Sequence, residues 1–267
     1  MNGWLIYDRA GAEKNAWFIN RLMERAKTCG LDLQLKFSHE LDWNEIPPFA
    51  IVRTIDPALN GALETRGVRV FNNSRTAMIA NDKWETYQLA KTLGIPVMPT
   101  ALVEEGLGAV PYPCVLKSRD GHGGAEVFLV NDREEAQRRL RELQALEKSC
   151  ILQKKCAHTG RDVRVYVIGG EIVAAVLRSS DRDFRSNFSL GGKVEVFMPT
   201  LEQRKIVKTL HEYLRTDYVG VDFIEDESGW ALNEIEDSAG ARMLYSCTDI
   251  DIIETFVSYI AYEMGVR

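Results

Sequence analysis

Three carboxylates near the end of the chain, Asp222, Glu234 and Glu236, have a spacing that can hold a divalent cation. They fall in a predicted β-hairpin whose turn is centred on Ser228. In that register Asp222 lies opposite Glu234, and Glu236 lies on the same face because side chains alternate along a strand. The pattern therefore predicts three carboxylates on one face of a sheet.

Carboxylates this close repel one another unless a cation lies between them. Oxygen ligands suit Mg²⁺, which takes one or two carboxylates and completes its shell with water and nucleotide phosphates. The hairpin thus indicates a site for magnesium and a nucleotide. Considered alone, it is explained equally well as the solvent-exposed face of an edge hairpin.

A lysine and a glycine-rich loop stand between two predicted strands. Lys117 ends the first strand, and Gly121, Gly123 and Gly124 follow closely. Glycine lets the backbone approach an anion and direct successive N–H groups at it, so this loop can cover a phosphate. The spacing is not the Gly-Lys-Ser/Thr pattern that opens a helix. A hairpin loop without a ligand is the alternative, as is an ordinary surface location for Lys83.

The segment between the two C-terminal hairpins is polar and shows little periodicity. Asp183, Arg185, Ser186 and Asn187 lie in a predicted loop of about 14 residues, a length that in a compact domain is usually functional or disordered. Arginine neutralises phosphoryl oxygens as charge develops, and asparagine can ligate Mg²⁺ or bind phosphate. An exposed polar loop is the alternative.

Three arginines are candidates for binding a substrate carboxylate, which a guanidinium contacts through two parallel hydrogen bonds. They are Arg9, Arg53 and Arg242, and Arg242 is the strongest because it follows the carboxylate strand closely. Surface ion pairs explain Arg9 and Arg53 equally well.

The N-terminal part of the chain reads as a small parallel α/β unit over residues 1–75. Short apolar strands alternate with amphipathic helices, which is typical of a parallel sheet. The predicted strands are 4–7, 31–37, 50–53 and 68–71, and one helix is predicted over 57–66.

The rest of the chain divides into two further units. Residues 76–150 predict a small α+β unit, in which a helix, the strands around the glycine loop and a charged helix capped by Asp132 follow one another. Residues 151–267 predict two antiparallel hairpins, the first turning at Gly169-Gly170, and a last helix over 250–264. The fold class is therefore mixed α/β and α+β.

Composition excludes several classes of protein. The chain has 267 residues, with 33 Lys plus Arg against 39 Asp plus Glu, so its formal net charge is −6. This mild acidity disfavours a nucleic-acid partner, and no apolar stretch is long enough to span a membrane. The five cysteines show no Cys-x-x-Cys pair and no signal peptide precedes them, which predicts reduced thiols in a cytoplasm.

These motifs, in this order, resemble the ATP-grasp superfamily, and within it the RimK-type branch of glutamate and amino-acid ligases. The resemblance covers roughly residues 50–265. Its most specific parts are Gly160-Arg161-Asp162-Val163-Arg164-Val165-Tyr166-Val167, Asp183-Phe184-Arg185-Ser186-Asn187 with Gly191-Gly192, Gly220-Val221-Asp222-Phe223, and Asn233-Glu234-Ile235-Glu236-Asp237-Ser238-Ala239-Gly240. Asn81-Asp82-Lys83 and Val115-Leu116-Lys117 add weaker support.

The resemblance implies an ATP-grasp fold with a short N-terminal unit, and it assigns a role to each motif. ATP would lie between the central and C-terminal units, with Mg²⁺ or Mn²⁺, two ions in all, on Asp222, Glu234 and Glu236. Arg185, Lys117 and Asn187 match residues at the transferring phosphoryl group. The positions matching nucleotide contacts are Lys83, Lys117, Gly121, Gly123, Gly124, Gln153, Lys154, Lys155, Cys156, Asp162, Arg185, Ser186 and Asn187.

The chain departs from the family pattern at three places. The adenine hinge, residues 153–156, reads Gln-Lys-Lys-Cys instead of Gln-Glu followed by an aromatic residue. The third metal position is Glu236 instead of Asn, which predicts tighter binding of Mg²⁺ or Mn²⁺. Ser238-Ala239-Gly240 replaces the usual Ser-Pro-Gly.

Together the motifs predict an ATP-dependent carboxylate–amine ligase that forms an amide through an acyl phosphate. An ATP-grasp kinase of a small molecule and a non-catalytic nucleotide-binding module are the alternatives. The predicted acceptor is an amino acid or a peptide or protein tail, with no nucleic acid and no membrane as partner. A homodimer is the default oligomer.

Overall fold

The computed structural model describes residues 1–180, 183–185 and 192–266. Three sheets and the helices packed on them make up the molecule, in agreement with the predicted mixed fold class. Over these residues, no helix has the length and apolar character needed to cross a membrane.

The N-terminal sheet is parallel, as predicted. In chain order its elements are β1 (Asn2–Tyr7), α1 (Arg9–Lys14), α2 (Ala16–Thr28), β2 (Asp32–Phe37), β3 (Phe49–Val52), α3 (Pro57–Glu64) and β4 (Arg69–Phe71). The strand order is β2-β1-β3-β4. The helix predicted over 57–66 is α3, which starts at a proline and is capped by the Asp56 carboxylate, 3.0 Å from the Leu59 amide.

The helix predicted next is two helices, α4 (Ser74–Ala80) and α5 (Lys83–Thr92). They are separate because the Asp82 carboxylate accepts from the amides of Trp84 and Glu85 and so caps a new helix. This cap places Lys83 at the first position of α5. Both helices pack their apolar faces on the C-terminal sheet.

The central sheet is antiparallel. Its elements are β5 (Thr100–Leu102), a 3₁₀ turn (Val103–Glu105), β6 (Cys114–Ser118), β7 (Val127–Val130), α6 (Arg133–Gln144) and β8 (Cys150–Lys154). The strand order is β5-β8-β6-β7. Strand β8 spans the predicted boundary at 150/151 and pairs with β5 and β6, so its residues lie in the central sheet.

The C-terminal sheet contains both predicted hairpins. Its elements are β9 (His158–Ile168), β10 (Glu171–Ser179), β11 (Lys193–Val196), α7 (Leu201–Leu214), β12 (Tyr218–Asp226), β13 (Gly229–Glu236), α8 (Arg242–Cys247) and α9 (Ile252–Glu263). The strand order is β11-β10-β9-β12-β13. Helix α9 is the one predicted over 250–264, whereas the short helix α8 was not predicted.

The hairpin β12–β13 has the predicted pairing but not the predicted turn. Its turn pairs Asp226 with Gly229, so the turn is centred between Glu227 and Ser228 instead of on Ser228. A bulge then inserts Asn233 as an extra residue on β13, and beyond it Asp222 lies opposite Glu234. The bulge therefore restores the pairing that the carboxylate site needs.

Buried polar contacts join the N-terminal sheet to the C-terminal sheet. The Asn72 side chain donates to the carbonyl of Tyr218 and to the carboxylate of Asp237, at 2.7 Å each. Its oxygen accepts from the amides of Asp217 at 2.7 Å and Tyr218 at 2.9 Å. An apolar core shared by both sheets surrounds this contact, so the two units are fixed against each other.

Candidate active site

A cavity of about 390 Å³ is lined by residues of all three units. This volume is in the range of small-ligand sites. Most predicted site residues line it: Lys83, Lys117, Gly121, Gly123, Gly124, Gln153, Lys154, Lys155, Cys156, Asp162, Arg185, Glu234, Glu236, Arg53 and Arg242.

Two predicted residues do not line the cavity, and two others lie outside the described residues. Asp222 is fully buried and contacts two arginines of the cavity wall. Arg9 forms an exposed ion pair with Glu40, away from the cavity. Ser186 and Asn187 lie outside the described residues.

The three carboxylates converge as the hairpin register requires. Asp222, Glu234 and Glu236 each offer one oxygen, and these oxygens lie within 4.8 Å of one another. The side chains of Glu234 and Glu236 are about one quarter exposed, so they face the cavity. An all-oxygen set of this spacing fits Mg²⁺ or Mn²⁺.

Two arginines hold the buried member of the set. Arg164 contacts both Asp222 oxygens, from Nε at 2.7 Å and from Nη2 at 2.6 Å, and its Nη2 also contacts Glu236. Nη2 of Arg178 contacts Asp222 Oδ2 at 2.7 Å, and Nε and the same Nη2 pair with the two oxygens of Asp162. These five side chains alternate in charge across β10, β9, β12 and β13, and we call them the charge ladder: Asp162, Arg178, Asp222, Arg164 and Glu236.

Neighbouring cations and burial shift the pKa values of the three carboxylates in opposite directions. Burial alone would raise the pKa of Asp222, but the guanidinium groups of Arg164 and Arg178 outweigh it and lower this pKa to about 2. Burial raises the pKa of Glu236, which Arg164 offsets only in part. For Glu234 burial acts in the same sense, yet the ammonium of Lys83 and other cations lower its pKa overall.

Two buried lysines lie beside the carboxylates. Nζ of Lys83 is 3.6 Å from Glu234 and donates to the carbonyl of Gly121. Nζ of Lys117 donates to Oε1 of Gln153 at 3.0 Å and to Oδ1 of Asn233, the bulge residue, at 3.3 Å. Burial lowers the pKa of Lys117 to about 8, and the nearby Glu234 carboxylate offsets this effect only in part.

The glycine loop needs its glycines. Gly123 and Gly124 have φ of +71° and +80°, which disfavour other residues.

Arg185 pairs with Asp183 through Nε at 3.0 Å and Nη2 at 2.7 Å. Its Nη1 donates to the carbonyl of Gly124 at 2.7 Å, so the segment 183–185 contacts the loop.

Sequence reasoning missed several residues of the cavity wall. Arg164 was visible inside a quoted motif but had no assigned role, and Arg178 had none either. Lys14 and Trp17, from the start of the chain, also line the cavity. Their signal was weak because nothing in the local sequence places the first unit against the carboxylate hairpin.

Comparison with known proteins identifies the family. Residues 80–260 match the family model of the RimK-like ATP-grasp domain. The chain belongs to the RimK-like ATP-grasp family. A probable α-L-glutamate ligase of Haemophilus influenzae is 30% identical over 206 residues, which are 74% of this chain and 68% of the relative.

Solved structures agree on the fold. D-cycloserine synthetase superposes on this RimK-like chain with a TM-score of 0.78 at 18% identity, covering 99% of this chain and all of the other. An ATP-grasp ligase in complex with a phosphomimetic variant of its minimal precursor, Mg and ADP gives 0.71 at 16% identity, with 98% of each chain covered.

The RimK-like protein is an ATP-dependent carboxylate–amine ligase, an enzyme that forms carbon–nitrogen bonds. Its family membership and ligase relatives favour this activity over the kinase and the non-catalytic module. Ligases of this family use ATP and divalent metal ions, and the carboxylate set fits such an ion.

Proposed function

We propose that this RimK-like ligase joins a carboxylate to the amine of an amino acid or peptide through an acyl phosphate. An oxygen of the substrate carboxylate attacks the γ-phosphorus and the bond to ADP breaks. The amine then attacks the acyl carbon, phosphate leaves, and the nitrogen loses a proton. The observation that supports this best is the convergence of three carboxylates and two buried lysines on one cavity.

The proposed phosphate-binding part of the cavity already contains positively charged side chains. Lys117 donates to two neutral oxygens, so a phosphate would give it a directly bonded counter-charge. Lys83 and the loop with Gly121, Gly123 and Gly124 would bind the remaining phosphate oxygens. Arg185, which reaches this loop, and Ser186 and Asn187 by resemblance, would complete the set at the transferring group.

The adenine end is proposed at the hinge. Gln153, Lys154, Lys155 and Cys156 line the cavity at the end of β8, where backbone groups can meet the base. The resemblance assigns Asp162 a contact near the ribose, but both of its carboxylate oxygens accept from Arg178.

The metal end is proposed at Asp222, Glu234 and Glu236, which would hold two Mg²⁺ or Mn²⁺ ions. A bound divalent ion neutralises charge on the phosphates and orients them. The protein's own residues hold the carboxylates in place, and the two arginines of the charge ladder keep Asp222 ionised.

Substrate binding is proposed at the end of the cavity formed with the first unit. Lys14 at the end of α1, Arg53 directly after β3 and Arg242 at the start of α8 line this end, and among the described residues none of the three forms an ion pair with a carboxylate. Glutamate is the substrate named for the Haemophilus relative, and a precursor is bound in the second solved structure. An amino acid or peptide that carries a free carboxylate fits these cations.

The decisive experiment is a phosphate-release screen with ATP, Mg²⁺ and a panel of amino acids and dipeptides, followed by product mass. A ligase gives free phosphate and an amide, whereas a kinase gives a stable phosphoester and a binding module gives neither. Glu234→Ala should abolish metal-dependent turnover while the protein stays folded. Retained turnover in that variant would contradict the metal assignment.

We further propose a homodimer, and a cytoplasmic location in which the five free thiols stay reduced. Sedimentation velocity measures the first. Titration with Mn²⁺ gives the number of ions.

A further inference from the structure

Asp162 and Arg178 form a buried pair across the first C-terminal hairpin. The two residues lie opposite each other on β9 and β10 and are 6% and 5% exposed. Nε of Arg178 contacts Oδ1 of Asp162, and Nη2 contacts Oδ2 at 2.6 Å. One planar guanidinium therefore occupies both oxygens of this carboxylate.

The same guanidinium reaches the candidate metal site. Nη2 of Arg178 also contacts Oδ2 of Asp222 at 2.7 Å. Asp222 receives Arg164 from the neighbouring strand as well, so its Oδ2 has two arginine donors and its Oδ1 has one. About three of the four lone-pair positions of this carboxylate are therefore used, so Asp222 can contact a metal ion only while the arginines leave the remaining position on Oδ1 open.

Asp162 restrains the orientation of Arg178. With Asp162 present, Arg178 is held on one edge by a bidentate contact and shares only Nη2 with Asp222. Without that restraint, Asp222 would be the remaining carboxylate contact of Arg178. The guanidinium could then rotate and bind both oxygens of Asp222. A buried guanidinium seeks such a partner because an unpaired charge in the interior is costly.

We propose that Asp162 is a positioning residue, which acts through Arg178 to keep Asp222 available to the metal ion. This inference rests on the proposed metal site, and it differs from a role as a ribose contact. It predicts that loss of the Asp162 charge weakens metal binding and slows the reaction, without a selective effect on recognition of the ribose.

The test compares Asp162→Asn with the native protein in two measurements. Binding of Mn²⁺ to the nucleotide-free protein, followed by electron paramagnetic resonance, should weaken about 10- to 100-fold, the usual range for loss of a group that orients a metal ligand. Relative to the native protein, turnover of the variant should fall by the same factor with ATP, 2′-deoxy-ATP and 3′-deoxy-ATP. Glu171→Gln, the same charge change at an exposed position of β10, is the matched control.

A double-mutant cycle shows whether Asp162 acts through Arg178. The variant Asp162→Asn/Arg178→Gln should bind Mn²⁺ no more weakly than Arg178→Gln alone, because the two changes remove one interaction. If Asp162→Asn does not fold, Asp162→Glu, which keeps the charge but displaces the oxygens, serves in the same measurements.

Two results would overturn the proposal. One is a KM for ATP that is higher in the Asp162 variant than in the native protein, together with equal KM values of the two proteins for 2′-deoxy-ATP or 3′-deoxy-ATP. This pattern would identify a ribose contact. The other is native Mn²⁺ affinity in a folded Asp162 variant. A native protein that binds Mn²⁺ and ATP but ligates nothing in the substrate panel would contradict the proposed function instead, and the Mn²⁺ measurement would still test the role of Asp162.

Discussion

At the scale of single residues, the site is built from charges whose partners differ in kind. Glu234 has an ammonium beside it and Asp222 has two guanidinium groups, whereas the oxygens that accept from Lys117 among the described residues are neutral. A group without a directly bonded counter-charge is the one that should respond most to a charged ligand. Lys117 is therefore the residue at which ATP binding and pH are expected to be coupled.

Affinity for ATP should decrease as the pH rises above about 8. Burial lowers the pKa of Lys117 to about 8, so the free protein loses this proton above that pH, while a phosphate favours the protonated lysine. Binding then requires uptake of a proton, and the affinity falls by up to about tenfold per pH unit. Calorimetric titration with ATP from pH 7 upwards measures the slope.

Lys117→Arg is the matched control for this slope, because a guanidinium stays charged throughout the range. Its affinity for ATP should be nearly independent of pH. A native protein with constant affinity up to about pH 9.5 would contradict the role of Lys117.

Glu236 supplies a second prediction at this scale. The additional carboxylate faces Arg164, so part of its charge is already neutralised within the protein. Glu236→Gln should therefore weaken Mn²⁺ binding by only about tenfold, close to 1.4 kcal/mol, rather than abolish it. Mn²⁺ titration measures this, with Glu225→Gln, whose carboxylate pairs with Arg161, as the control. A complete loss of binding or no change would each be inconsistent with this partial neutralisation.

The sequence was informative for the carboxylates and misleading for their partners. A regular hairpin at Gly169-Gly170 would place Arg178 opposite Arg161. The bulge between Ile172 and Ala174 shifts the register by one residue and places Arg178 opposite Asp162. Like charges face each other unfavourably in a regular hairpin, which is the physical signal that could have predicted the shift.

At the scale of elements, the segment after β10 is held against β9 at one glycine. Gly160 has a φ of +73°, and its amide donates to the carbonyl of Phe184 at 2.8 Å. A Cβ built there would lie 2.6 Å from the carbonyl oxygen of Ser180 and 3.1 Å from that of Asp183. The position of the segment that carries Arg185 therefore depends on the absence of a side chain at residue 160.

Gly160→Ala should destabilise the protein by about 2 kcal/mol or more. Strain from the left-handed backbone and a clash with backbone oxygens both contribute, since neither neighbour is a flexible side chain. Urea unfolding measures the change. Gly108→Ala, where a Cβ meets nothing within 4 Å, is the control and should change the free energy of unfolding little. Equal stability of the two variants would show that the segment adjusts without cost.

Elements with strong local signals were predicted and those set by capping or tertiary contact were not. Helix α9 has a continuous apolar face and was expected. The break between α4 and α5 comes from a cap at Asp82, within a stretch that otherwise favours helix throughout. Helix α8 spans only Arg242–Cys247, which is too short for periodicity to reveal.

At the scale of the whole molecule, the site depends on how the first unit meets the last. Arg53 donates from Nη2 to the carbonyls of Ser238 and Ala239, at 3.2 and 3.1 Å, directly after the carboxylate strand. Asn72 makes the deeper contact, in which its side chain satisfies backbone groups of Asp217 and Tyr218. Loss of either contact affects the cavity and the fold together.

Asn72→Ala should lower the free energy of unfolding by about 3 to 5 kcal/mol. It removes an amide that meets several buried polar groups and leaves backbone N–H groups and a carboxylate without that partner. Thermal or urea unfolding measures the loss. Asn44→Ala, at an exposed position, should be close to neutral. A loss below about 1 kcal/mol would indicate that water replaces the side chain.

The wall contributed by the first unit also gives the protein an optical reporter. Trp17 lines the cavity, is 54% exposed and packs edge-on against Tyr245 with ring centroids 5.3 Å apart. An indole at the substrate end changes its emission when a ligand excludes water from it, whereas the other four tryptophans do not line the cavity: Trp4, Trp43, Trp84 and Trp230. Occupancy of the substrate end can therefore be followed by intrinsic fluorescence without a label, with Trp17→Phe as the silent reference.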